Sequence, residues 1–177
     1  MRFAGLVRSN GGYFNQAETF GYPVSHTAAG IEGNLGVEIV PRLSLGIGAS
    51  YFGAGATRRY AKLMLTSENV QFFVKYAPLR YLSDDGVVRV SLDVGLAAGR
   101  YWIRETYSDA SLFSNTFVAD GASMGGSGGA DLSLEITAFR LVLGYAYHYA
   151  PAAVANEIGG TARAGGHVID FGLGARF

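Results

Sequence analysis

Apolar and polar residues alternate along this chain with a period of two rather than 3.6. The pattern is clearest over 167–177, HVIDFGLGARF. There Ile169, Phe171, Leu173, Ala175 and Phe177 fall on one face, and Val168, Asp170, Gly172, Gly174 and Arg176 on the other. Successive side chains of a strand point to opposite sides of its sheet, so an apolar face is backed by glycines and charges. The same split recurs over 29–39, 43–51, 70–76, 88–98, 130–136 and 141–149. It is weaker in an N-terminal segment, where Phe3, Gly5, Val7 and Tyr13 oppose Leu6, Arg8, Asn10 and Phe14. Eight strands result. Their connections alternate: 40–42, 78–86 and 137–139 are tight or moderate turns, while 16–26, 54–60, 105–124 and 152–163 read as longer loops rich in turn-forming residues.

An even strand count, with short turns at one end and long loops at the other, predicts an all-β fold: an eight-stranded antiparallel up-and-down transmembrane β-barrel in one domain spanning 1–177. The polarity of the faces sets this apart from a soluble barrel, whose apolar face is inside. Here the face read as inner carries Arg8, Glu32, Glu38, Lys75, Arg89, Asp93, Asp131, Glu135, Asp170 and Arg176. It also carries Gly30, Gly36, Gly46, Gly48, Gly95, Gly144, Gly172 and Gly174, small residues that leave room in a narrow interior. Unpaired charges in a low dielectric cost several kcal/mol each, so these ten should pair across the lumen and plug it. Arg8 is expected to reach Asp93 or Glu32, and Arg176 to reach Glu38 or Glu135. Arg89 and Asp93, about 13 Å apart on one strand, must each find a partner across the lumen. Tyr51, Tyr76, Tyr101, Trp102, Tyr145, Tyr147, Tyr149, Phe171 and Phe177 lie at or near predicted strand ends, as interfacial girdles do.

Composition sharpens the picture. Glycine supplies 26 of 177 residues, about twice its usual share, and 23 residues are aromatic. Fourteen Lys and Arg balance fourteen Asp and Glu, which removes the basic footprint of a nucleic-acid binder. There is no cysteine, hence no disulfide or thiol chemistry. No uncharged run reaches the length of a spanning helix, and no secretory signal is visible at the start.

HVIDFGLGARF and the segment GSGGADLSLEITAFRLVLGYAYHY (127–149) resemble the small eight-stranded outer-membrane barrels of Gram-negative bacteria, the class of the outer-membrane protein A transmembrane domain. The resemblance covers essentially the whole chain. It implies location in the bacterial outer membrane, lipid and lipopolysaccharide as surroundings, a monomeric state, and a terminal aromatic, Phe177, presented to the barrel-assembly machinery. Two features depart from it: the chain stops at Phe177, with no peptidoglycan-binding domain after it, and the 78–86 turn is long.

Candidate chemistry is sparse. Among barrels of this size are lipid A-modifying enzymes, one with a His-x-Ser pattern followed by Glu. The corresponding stretch here is His148-Tyr149-Ala150 with Glu157, and a methyl group at Ala150 cannot attack an ester. Parity also turns His148 inward. His167 falls on the outward face near the extracellular end, and His26 in the first loop. No two histidines share a metal-ligand spacing. Neither a metal nor a cofactor is expected. Arg58, Arg59, Lys62, Arg100 and Arg104 form the best candidate surface site, since guanidinium groups match lipopolysaccharide phosphates. The sequence therefore predicts a non-catalytic barrel with a plugged polar lumen and a structural or surface role through its loops. A narrow pore or transporter for small, possibly apolar molecules is the alternative, and a lipid A-modifying enzyme the third reading.

Overall fold

The computed structural model describes residues 1–177 apart from 9–10, 20, 23, 59–60, 110–114, 156–160 and 176–177, so Arg59, Arg176 and Phe177 lie outside the described residues. Eight strands close into a ring: β1 (Arg2–Val7), β2 (Thr27–Val40), β3 (Leu43–Arg58), β4 (Ala61–Leu82), β5 (Val88–Asp109), β6 (Asn115–Ile136), β7 (Phe139–Tyr149) and β10 (Gly166–Ala175). All neighbours are antiparallel, and β1 completes the ring between β2 and β10. A helix, α1 (Gly11–Thr19), follows β1, and a small hairpin of β8 (Ala153–Ala155) and β9 (Thr161–Arg163) lies between β7 and β10. Among the described residues, no helix is long and apolar enough to cross a membrane.

Register fixes the size of the barrel. The row Val37, Leu45, Val74, Leu96, Gly128, Tyr147, His167, Val7 returns to β2 at Thr27, ten residues from where it began (37 − 27). Eight strands with that stagger tilt by roughly 40° and enclose only enough room for side chains. A level line on the wall therefore drops about 1.25 residues per strand relative to the row, ten residues shared over eight strands. One such line joins the outward residues Ile31, Tyr51, Val70, Arg100, Gly126, Tyr149 and His167.

Polarity reverses at that line. Below it the outward positions are apolar, with Phe72 72% and Leu96 73% exposed, and none of the described ones carries a charge. Above it, the outer face of β3–β6 bears Thr57, Lys62, Thr66, Glu68, Arg104, Thr106 and Asp120. Inside, the order is opposite. The lower lumen holds most of the buried charges, whereas the upper lumen is a mainly apolar cup of Leu63, Leu65, Tyr101 and Ile103, with the buried Glu105 on its wall. The cup is filled by Tyr13, Phe14 and Ala17 of α1, and by Val24, Ala152, Val154, Ala162 and Ala164.

This reversal corrects several expectations. The 54–60 and 105–124 segments are largely strand: β3, β5 and β6 run on past the line with their faces exchanged in polarity. The first strand ends at Val7, and Tyr13 and Phe14 belong to α1, whose apolar side chains at positions 13, 14 and 17 share one helical face. Tyr101 is mid-strand and buried inside rather than part of a girdle. The lumen is predominantly polar only in its lower part; the upper part is mainly apolar, with Arg8 and Glu105 as its buried charges. At 78–86 the chain does not turn at once: a bulge between Tyr76 and Leu79 absorbs Pro78, and β4 continues to Leu82. The turn proper is tied by Asp85, whose carboxylate accepts from the Ser83 hydroxyl (2.5 Å) and the Val87 amide (3.0 Å), bonds that hold it below the usual carboxylate range.

Inner glycines make room for large neighbours. The Phe73 ring lies against Gly36 and Gly46, where a Cβ would collide with it and, at Gly46, with the Leu35 carbonyl oxygen. Gly144 likewise faces the carboxylates of Asp131 and Asp170. We expect Gly46→Ala to lower the unfolding free energy by about 1–3 kcal/mol through overpacking. Gly33→Ala, which meets nothing within 4 Å, should leave it nearly unchanged in the same denaturant titration.

Candidate functional site

The lower lumen is filled by a ladder of ion pairs. Asp131 on β6 accepts two bonds from the Arg2 guanidinium (2.9 and 3.0 Å) and one from Lys75 Nζ (2.5 Å). Arg2 also donates to Asp170 on β10 (2.9 Å), so one knot joins β1, β4, β6 and β10 across the lumen. Towards the turns, Arg140 reaches Asp93 (2.5 Å) and Glu135 (3.5 Å), Arg89 reaches Glu135 (3.5 Å), and Arg80 reaches Glu38 (2.7 Å). Glu32 accepts from the Asn34 amide at 2.6 Å. Higher up, the Tyr101 and Ser127 hydroxyls both donate to Gln71 Oε1 (3.2 and 3.1 Å).

Of the ten residues expected inside, the nine described ones line the interior. Two partnerships differ from expectation, those of Arg89 and Arg8. Arg89 does not cross the lumen, because Glu135 is its register partner on the adjacent strand. Glu38 pairs with Arg80, and Glu135 with Arg89 and Arg140; the expected pairing of either with Arg176 lies outside the described residues. Arg8 reaches neither Asp93 nor Glu32. It sits above the knot, 2% exposed, and donates from Nη2 to Ser67 Oγ at 3.0 Å. Its Nε and Nη1 have no hydrogen-bond partner, and burial pulls its pKa down to about 10.

Sequence reasoning missed Arg2, Arg80 and Arg140. Parity was the available signal for two of them. Arg140 keeps step with inward Val142 and Gly144, and Arg2 with Leu6 and Arg8. Arg80 was hidden by the bulge, which shifts the alternation by one residue.

A cavity of about 50 Å³ remains among Arg2, Glu32, Lys75, Asp93, Asp131, Asp170 and His148, room for roughly three or four waters. His148 faces it, with its ring edge-on to Tyr101 (5.8 Å). His167 is outward, its Nδ1 2.8 Å from the Tyr145 hydroxyl, and His26 stacks on Phe14 at 4.2 Å. Among the described residues no group of three or more His, Asp or Glu could hold a metal ion.

The surface cations are strung out rather than gathered. Arg100 and Arg104 are four residues apart on β5, and Lys62 pairs with Ser108 four residues further on, so the three span about 26 Å along the wall. Arg100 lies over the Trp102 ring (5.5 Å), and Arg104 pairs with Asp120 (2.6 Å), which raises its pKa. Arg58 ends β3 and its side chain lies outside the described residues, as does Arg59.

Compared with known proteins, the chain matches no family model and no curated sequence.

Two substitutions separate the buried knot from the surface. Arg2→Met leaves Asp131 and Asp170 facing each other with one cation fewer and should cost about 3–5 kcal/mol of unfolding free energy. Arg104→Ala, at an exposed pair, should be indistinguishable from the parent. Arg8→Met goes the other way: removing a buried guanidinium that has no anionic partner among the described residues should raise the unfolding free energy, by about 1–4 kcal/mol in the same titration.

Proposed function

We propose that this chain is a non-catalytic integral barrel of a bacterial outer membrane, of the small eight-stranded kind. Its lumen is closed by its own side chains, and its role is structural or in surface interaction. One observation carries the reading: an uncharged apolar belt encircles the barrel below the level of Tyr51, Arg100 and His167. On β4 the belt runs from Val70 to Tyr81, about 36 Å of strand, or roughly 28 Å of height at the barrel's tilt. That is close to the apolar band of roughly 25 Å on outer-membrane barrels. A protein in water has no reason to exclude every charge from such a surface.

The level line then marks the outer interface. Tyr51, Trp102, Tyr147 and Tyr149 fit the headgroup region, where Arg100 meets lipid or lipopolysaccharide phosphate. The surface offered to partners is the outer face of the extended β3–β6 sheet, rather than the long 105–124 loop expected from sequence. A water channel is disfavoured by the ion-pair ladder, and catalysis by the inward, buried His148 followed two residues later by Ala150. Phe177 remains the proposed signal to the assembly machinery.

The test compares arginine substitutions on one face of the wall at two heights. Leu143→Arg, in the belt, should lower stability in lipid by about 2–4 kcal/mol, whereas Thr106→Arg, above it, should have no measurable effect. Equal costs would contradict a bilayer at this height. In planar bilayers the unmodified protein should give no large, steady channels.

A further inference from the structure

The cup above the belt has the polarity of a soluble binding protein, apolar within and polar without, and it has a charge at its floor. Arg8 is at the height of Ser67, whereas Leu65 and Leu63 stand one and two inward positions higher, and on β5 Glu105 and then Tyr107 follow Ile103 up the wall. The cup is roughly 13 Å deep from Tyr101 to Leu63 along the tilted strands. A short piece of chain fills it. α1 has nine residues, no acid in its first turn and no base in its last. A helix of that length is marginal on its own and depends on what it packs against. Among the described residues its hold on the cup includes the apolar side chains of Tyr13, Phe14 and Ala17 and the hydrogen bond from the Tyr13 hydroxyl to Glu105. Arg8 lies close enough to Tyr13 for the two to interact electrostatically.

Arg8 contributes nothing to the ion-pair ladder and is unfavourable where it stands. Two of its nitrogens lack a hydrogen-bond partner, and only 2% of the residue is exposed. A cup lined mainly by apolar side chains, whose buried carboxylate, Glu105 beside Leu65, is engaged by the Tyr13 hydroxyl, and whose closed end holds a guanidinium with no carboxylate partner among the described residues, matches one ligand chemistry, an aliphatic carboxylate. The two carboxylate oxygens accept from guanidinium N–H groups, and the chain takes the place of the α1 side chains. We propose that the cup binds a medium-chain aliphatic carboxylate, with the head on Arg8 and the tail against Leu63, Leu65 and Ile103, and that α1 is a resident plug which the ligand displaces. The proposal goes beyond the structural role above and does not depend on where the bilayer lies.

The test uses the whole chain in detergent micelles, with decanoate and decanol competing against a fluorescent fatty-acid analogue. Decanoate should displace the probe at a concentration about tenfold below decanol, the preference expected of one charge-assisted contact. Arg8→Met, which removes an unfavourable charge and so keeps the fold, should bring the two competitors within about twofold. Leu65→Trp, checked for native gel mobility without heating, should remove saturable displacement by both. A wild-type protein that does not distinguish decanoate from decanol would overturn the proposal, since that is adsorption to the belt or micelle. So would a preference for decanoate that survives Arg8→Met.

Discussion

Closure of eight strands with a ten-residue stagger is the constraint on which the rest of this molecule depends. The ring is too narrow for an empty channel, so every inward side chain meets others from across the lumen. Space becomes the controlling quantity. Phe73 lies flat because Gly36 and Gly46 have no side chain beneath it, and Asp131 meets Arg2 and Lys75 because Gly144 leaves the carboxylate room. Charge placement is set by space in turn: carboxylates confined at this separation require cations between them, and Arg2 and Arg140 each serve two.

The same closed wall is used twice with opposite polarity. In the lower part the apolar side chains face out and charges fill the interior. In the upper part Leu63, Leu65 and Ile103 turn in while Lys62, Thr66 and Arg104 turn out, with no change in strand direction or pairing. Strand geometry permits this because alternation fixes only that neighbours differ in side, not which side is apolar. The crossing point on β4 is short: Ser67, Asn69 and Gln71 form a polar inner step, and Glu68 gives way to Val70 outside. Above that step the chain packs as a water-soluble domain would, with its core inside and α1 as part of that core.

The strand count, nine of the inward charges, the tight turns at 40–42 and 137–139, and the inward His148 are legible as period-two alternation. The exceptions have identifiable causes. The upper halves of β5 and β6 resemble loop in sequence because Arg104, Thr106 and Asp120 put polar residues on the face that is apolar lower down, although the period persists. Glycines over 121–129 admit close approach of neighbouring backbone, as between Gly121 and the Ala153 carbonyl. Arg80 was lost to a bulge that resets parity, which no alternation pattern announces. α1 presents only three apolar residues over two turns, too few to display helical periodicity.

The central claim is that the change of polarity marks the edge of a bilayer. The chain has no cysteine, so single cysteines can be placed for a fluorescent label at Phe72, Leu96 and Leu143 in the belt, and at Lys62 and Thr106 above it. In proteoliposomes the account predicts that bromine-bearing lipid chains quench the first three labels while iodide in the water does not, and that the last two respond in the opposite way. Iodide quenching of all five labels alike would contradict it, because the belt would then face water.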